Sequence, residues 1–290
     1  MAFLSYLIGG LGLGSVYAII ALGYSMVYGI AKMLNFAHGD VIMVGAFVAY
    51  FALSSFGLPA IVALILSVVA CTVLGIVVEK LAYKPLRGAS SLSVLITAIG
   101  VSYFLQNAAM LMWGTDTKIF PTVLEGSLTI GELSIPYLTL LTILSCIVIM
   151  VVLTMFINNT KTGRAMRACS EDKGAASLMG INVNQIISIT FAIGSGLAAI
   201  AAVLLCATYP SVYPTLGSMP GIKAFTAAVL GGIGSIPGAF LGGLLLGVIE
   251  NLARAYISTQ LSDAIVFMVL IVILLIKPTG LLGKKVNVKV

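Results

Sequence analysis

The 290 residues are 60% hydrophobic and 8% charged, with a mean hydropathy of +1.18, whereas soluble domains carry about 25% charged residues. So apolar a chain cannot cover a water-soluble surface, which makes a bilayer its solvent and excludes a built-in soluble enzyme. The 15 Lys and Arg against 9 Asp and Glu give a net charge of +6, too scattered for a nucleic-acid stripe and suited to orienting loops.

The charges are so scarce that the gaps between them predict the spans. At ~20 residues per crossing the length predicts an all-α, polytopic transmembrane protein of about eight to nine spans, with discontinuous helices, in a single transmembrane domain over 1–290. Residues 1–31 carry no charge, unlike the basic start of a signal peptide, so this run reads as a retained span. A second uncharged run, 41–78, is broken by Ser54, Ser55, Gly57 and Pro59 and makes two helices. The basic segment Glu79, Lys80, Lys84, Arg87 is expected in the cytoplasm. After a span within Gly88–Thr115 comes a loop with Asp116, Lys118, Glu125 and Glu132, expected outside.

A fifth span, Ile135–Ile157, leads into a long polar stretch, 158–185, which holds Lys161, Arg164, Arg167, Glu171, Asp172 and Lys173 and reads as cytoplasmic. A sixth span, Ile186–Thr208, ends at Tyr209-Pro210-Ser211-Val212-Tyr213-Pro214, an outer turn. The last third is cut into short pieces: helices near Gly221–Leu230, Gly238–Arg254 and Ser258–Ile276, then a cytoplasmic tail with Lys277, Lys284, Lys285 and Lys289. The first of these is too short to cross alone and would need shielding by protein; a re-entrant helix is the other reading, and it would change the number of crossings. Gly45-Ala46-Phe47 and Gly238-Ala239-Phe240 form a weak internal echo, as repeats with interrupted helices would.

Three clusters stand out. Lys32-Met33-Leu34-Asn35-Phe36-Ala37-His38-Gly39-Asp40 holds the one histidine. Helical spacing would put Asn35 and His38 on one face, and Gly39 permits a break that frees carbonyls into a cavity. A hydrated cytoplasmic turn is the other reading. The stretch 161–182 alternates basic heads with small residues and stops at Gly180, as a surface helix would. There Ala175 and Ala176 would let another protein approach, and Arg164 and Arg167 could meet its carboxylates or anionic lipid. The spacing of Gly234, Gly238 and Gly242, with Gly243 and Gly247, suits close helix packing, inside the chain in the first reading or against a partner subunit in the second. Glu250 and Arg254 read as an i, i+4 pair, and Asp263 as a cap of the last helix. Cys71, Cys146, Cys169 and Cys206 have no metal-like spacing and read as small packing residues, and one histidine alone gives too few metal ligands. No Walker A sequence occurs, so the chain itself cradles no ATP.

Ala175-Ala176, three residues, then Gly180 resemble the cytoplasmic coupling loop of ABC importer permeases, with Gly174 where that pattern has Glu. Together with Leu34-Asn35-Phe36-Ala37-His38-Gly39-Asp40, Gly231-Gly232-Ile233-Gly234-Ser235-Ile236-Pro237-Gly238-Ala239 and Lys277-Pro278-Thr279-Gly280-Leu281-Leu282-Gly283, the chain resembles the LivH-type permease of branched-chain amino acid ABC transporters along its whole length.

The resemblance implies half of an amino-acid pore in a bacterial inner membrane. It also implies a LivM-like second permease, two cytoplasmic ATPases that bind ATP and Mg, and a periplasmic or extracellular binding protein docking on Asp116–Glu132 and Tyr209–Pro220; no cofactor and no nucleic acid is expected on this chain. Coupling is expected at Arg164, Arg167, Asp172, Ala175, Ala176, Gly180 and Asn182. Pathway or moving parts are expected at Asn35, His38, Gly39, Asp40, Gly231, Gly232 and Gly234. A urea or amide permease of the same family, or an ion-driven secondary transporter titrating His38 or Asp40, would share many of these features.

Overall fold

The computed structural model describes residues 2–131 and 133–283. Glu132 of the expected outer loop and Lys284, Lys285 and Lys289 of the expected tail lie outside the described residues. In chain order, the eleven helices among the described residues are α1 Ala2–Ala31, α2 His38–Ser54, α3 Ala60–Val78, α4 Ser91–Trp113, α5 Tyr137–Asn159, α6 Lys161–Glu171, α7 Lys173–Leu178, α8 Val183–Thr208, α9 Ser218–Gly231, α10 Ile236–Tyr256 and α11 Ser262–Ile276. A π turn, Glu79–Tyr83, and a 3-10 turn, Lys84–Leu86, prolong α3.

Turn chemistry in the sequence sets these limits. Ser90, Thr160, Asn182 and Ser235 each accept a hydrogen bond from a first-turn amide of α4, α6, α8 and α10, and Pro59 and Pro136 precede α3 and α5. One element departs from the all-α expectation: β1, Ser127–Ile130, pairs antiparallel with β2, Leu133–Pro136, and Ser127 stands opposite Pro136. Its alternating apolar residues were hidden in a loop read only for charge.

Six helices are long and apolar enough to cross a membrane: α1, α3 with its extension, α4, α5, α8 and α10. The helices α2 and α11, at 17 and 15 residues, are shorter apolar pieces. The buried centre is α1 against α8, which meet where a Cβ on Gly23 would lie 3.1 Å from the carbonyl oxygen of Gly194. Along α10, Gly243 abuts Ala18 and Gly247 abuts Gly14, so α1 and α10 run antiparallel with backbones touching, while Gly238 and Gly242 rest on Gly231 and Ala227 of α9. The glycine spacing therefore serves packing within the chain, as expected from the sequence.

Arg87 reaches Asn184 at the start of α8 and Lys173 reaches Ala31 at the end of α1, so the π turn, the 3-10 turn, α6 and α7 share one end, the basic end that the sequence expectation puts on the cytoplasmic side. Relative to that end the chain contains an inverted repeat. The helix α1 runs toward the basic end, residues 32–37 return partway, and α2 then runs outward, followed by α3 inward and α4 outward. The second half, α8 to α11, repeats this order upside down, with residues 209–217 as the return and α9 as the short helix. Packing obeys the same rule. The pair α1 on α10 matches α8 on α3, α2 on α8 matches α9 on α1, and α2 on α3 matches α9 on α10. The counterpart of α2 is thus α9, and the Gly-Ala-Phe echo, which relates α2 to α10, does not mark the repeat.

Candidate functional site

The two short helices begin face to face inside the bundle. Gly39 in the first turn of α2 lies against Gly217, which caps α9, and a Cβ on Gly221 would stand 3.0 Å from the Gly39 Cα. Side chains here would push the helix starts apart. His38 lies opposite Gly23, whose Cβ would come within 2.7 Å of the imidazole Nε2. That level is about 12 Å from the end of α1 at 1.5 Å per residue, so both helices start well inside the bundle with their amide-rich ends converging.

His38 is buried, stacks edge-on against Tyr24 with centroids 4.6 Å apart, and its Nε2 has no partner among the described residues. Asp40 accepts a 2.8 Å hydrogen bond from Gln106 Nε2, whose amide also lies 3.3 Å from the hydroxyls of Ser102 and Ser218. This polar group ties α2, α4 and α9 together. Beside it α9 turns Met219 and Ile222 outward, both exposed.

Asn35 is not on a helical face with His38, because α2 starts only at His38. Asn35 lies in the return segment, where its Oδ1 accepts a 2.8 Å hydrogen bond from Tyr83 Oη. The helix break also falls at 32–37 rather than at Gly39, and Gly39 serves close backbone approach. The break opens at Lys32, the one non-glycine residue with positive φ among those described, at 57°.

Gly231, Gly232 and Gly234 sit at the opposite, basic end of α9 and do not join the Asn35–Asp40 group. Gly232 and Gly234 have φ of 106° and 90°, conformations open to glycine. Leu281 and Leu282 amides bond the carbonyls of Leu230 and Gly231, both at 2.8 Å, and Gly280 and Gly283 crowd Gly232. The turn is closed over by the chain's last described segment.

The single surface helix expected over 161–182 is two helices, α6 and α7, broken at Asp172. The Asp172 carboxylate caps α7 by accepting from the Gly174 and Ala175 amides at 2.7 and 3.0 Å. Gly180, φ 81°, ends the turn as expected. Arg164, Arg167 and Ala175 are exposed, but Ala176 is buried against the core, so it is unavailable to a partner. Asn182 caps α8 through its Oδ1, 3.1 Å from the Gln185 amide. The exposed tip is apolar instead: Leu178 is 91% and Met179 83% exposed. Lys173 is half-buried, and burial together with Arg87 and Lys32 lowers its ammonium below its usual pKa.

Two further clusters escaped the sequence reading. Glu79 is fully buried, pairs with Arg87 and accepts from Ser188 at 2.6 Å, while Arg87 also reaches Asn184, joining the π turn to the start of α8. Lys223 of α9 bonds Glu250 at 2.8 Å and Asp263 at 2.6 Å, and Arg254 closes on Glu250. The expected Glu250–Arg254 pair is therefore part of a quartet, and Asp263 is an ion-pair partner rather than a cap. Gln106 could have been found, since an amide within an uncharged span is costly unless it has partners. The outer loops expected at Asp116–Glu132 and Tyr209–Pro220 meet: Lys118 and Val212 exchange two backbone hydrogen bonds of 2.8 Å.

A bundle of apolar helices with two short helices starting inside it and a basic helical segment at one end defines a multi-pass membrane protein of the transport class. The chain belongs to the family described as branched-chain amino acid transport system / permease component, whose model matches residues 6–274. It is 48% identical to the high-affinity branched-chain amino acid transport system permease protein BraD of Pseudomonas aeruginosa, covering 97% of this chain and 96% of that protein. It is 43% identical to the corresponding LivH of Escherichia coli K12 over the same shares. A probable LivH of Methanocaldococcus jannaschii is 27% identical, covering 93% of this chain and 89% of that protein. The resemblance read from the sequence holds.

Proposed function

We propose that the chain is the membrane-spanning permease of an ATP-driven importer for branched-chain or related hydrophobic amino acids, forming half of the translocation pathway as one domain in a bacterial cytoplasmic membrane. The observation that carries this reading is identity of 48% along nearly the whole length of a permease so named. In this reading the chain crosses about nine times, with α2, α9 and α11 completed by their flanking segments. A second, LivM-like permease supplies the other half of the path, a binding protein delivers substrate from outside, and two ATPases bind ATP and Mg.

His38, Gly39 and Asp40, where α2 meets α9, and Asn35 in the return segment that leads there line or gate the path. Two half-helices meeting at membrane depth can move as bodies against the packed α1–α8 centre, and the polar group around Asp40 gives a zwitterion a foothold in an apolar route. Gly231, Gly232 and Gly234 form the hinge at the other end of α9. The cytoplasmic surface with Arg164, Arg167, Asp172, Ala175, Gly180 and Asn182 meets an ATPase. Buried Ala176 supports that surface from below.

The test is copurification of the tagged chain in mild detergent, then uptake in proteoliposomes. The reading expects ATPase subunits in the complex and leucine, isoleucine or valine uptake that stops when ATP is depleted. Uptake driven by an ion gradient without ATPases would overturn it, and uptake of urea or acetamide in place of leucine would reassign the substrate.

A further inference from the structure

Helix α7 is lightly attached to the bundle. It is six residues long, hinged at the extended Asp172, and only Ala176 of its side chains is buried. By contrast α6 is fixed: Gly163 lies against the Ile157 backbone, and Met166 and Cys169 are buried in the core. One hydrogen bond joins α7 to α1 among the described residues. The Nζ of Lys173, its first residue, donates to the Ala31 carbonyl oxygen at 2.6 Å. Ala31 is the last residue of α1, whose final carbonyls have no partner within the helix and attract a cation.

The attachment point matters because α1 leads directly into the return segment. Lys32 is the positive-φ residue that turns the chain, and residues 32–37 lead without helix to His38 and the Gly39–Gly217 junction. Downstream, Asn35 is held by Tyr83, and the Asn35 carbonyl accepts from the His38 amide at 3.2 Å. A short, well-partnered stretch thus separates the Lys173 ammonium from the start of α2.

We propose that Lys173 is a positioning residue that transmits movement of α7 to the end of α1 and so to the mid-membrane start of α2. The proposal rests on the importer function above and names a specific linkage within this chain. Its alternative is that Lys173 only caps α1.

The test uses the complete transporter in proteoliposomes, with loaded binding protein outside, and compares Lys173→Met and Lys173→Arg with the unsubstituted chain. Assembly, basal ATP hydrolysis and hydrolysis stimulated by the binding protein are measured together with uptake. The linkage predicts that Lys173→Met assembles and keeps basal hydrolysis, but loses stimulation and uptake by about tenfold, the size expected for one charge-assisted hydrogen bond. Lys173→Arg, which can still donate to the carbonyl, should restore most of both.

Normal stimulation and uptake in Lys173→Met would overturn the proposal. So would a parallel fall of assembly, basal and stimulated hydrolysis, which marks a cap with structural importance alone. Absence of stimulation and uptake in the unsubstituted complex would instead refute the importer function itself.

Discussion

Gly39 and Gly217 meet backbone to backbone: a Cβ on Gly39 would stand 2.5 Å from the Gly217 carbonyl oxygen, and one on Gly217 would overlap the Gly39 carbonyl. Neither position tolerates a side chain unless the two short helices separate. Gly217→Val is expected to leave the chain membrane-inserted while lowering uptake at least about tenfold, since overpacking against backbone costs about 1–3 kcal/mol or more. Gly100→Val serves as the control, because nothing lies within 4 Å of its added Cβ. Equal uptake in the two variants would remove the junction from the transport path.

Lys223 centres the quartet, buried together with Glu250 at 2.8 Å and reaching the half-exposed Asp263 at 2.6 Å. Lys223→Met leaves a buried carboxylate with Arg254 as its remaining cation, and breaking one side of such a pair costs about 3–5 kcal/mol. A lowered thermal transition in detergent is expected, with partial recovery in Lys223→Met/Asp263→Asn, where the surplus negative charge is gone. A single variant as stable as the parent would show that the quartet adds nothing to the hold on α9.

Gln106 is the donor that reaches Asp40 at 2.8 Å. Gln106→Leu removes one of the donors to Asp40, Ser102 remaining beside it, and is expected to destabilise the chain by about 1 kcal/mol, the net worth of one hydrogen bond. Gln106→Glu sets a second carboxylate against Asp40 and should lower uptake more than Leu does. The order of the two variants in an uptake assay is the check.

Gly243 bears on Ala18 of α1. Gly243→Leu places four extra carbons where two backbones touch, and unlike the changes above it should abolish accumulation of folded protein, read by size-exclusion profile in detergent.

The spans and the basic end were legible because apolar runs and charge signs answer to one physical cause each, burial in lipid and orientation across it. The family pattern was legible for a different reason, in glycines and small residues that allow backbones to touch. What could not be read was pairing at a distance. Asp263 looks like a cap until Lys223 is seen beside it, Ala176 looks exposed until α7 is seen to turn it inward, and Asn35 loses its helical partner because the helix begins three residues later than spacing suggests. The inverted repeat was invisible for a related reason: its halves share packing order and not residue identity, so the three-residue echo pointed at the wrong pair.

The inverted repeat bears on how a single chain serves both membrane faces. Because α2 points outward from the junction and α9 points inward, each occupies toward its own face the place that the other occupies toward the opposite one. One glycine-to-glycine meeting point thus anchors a short helix for each face, and a shift there is felt on both sides of the molecule at once.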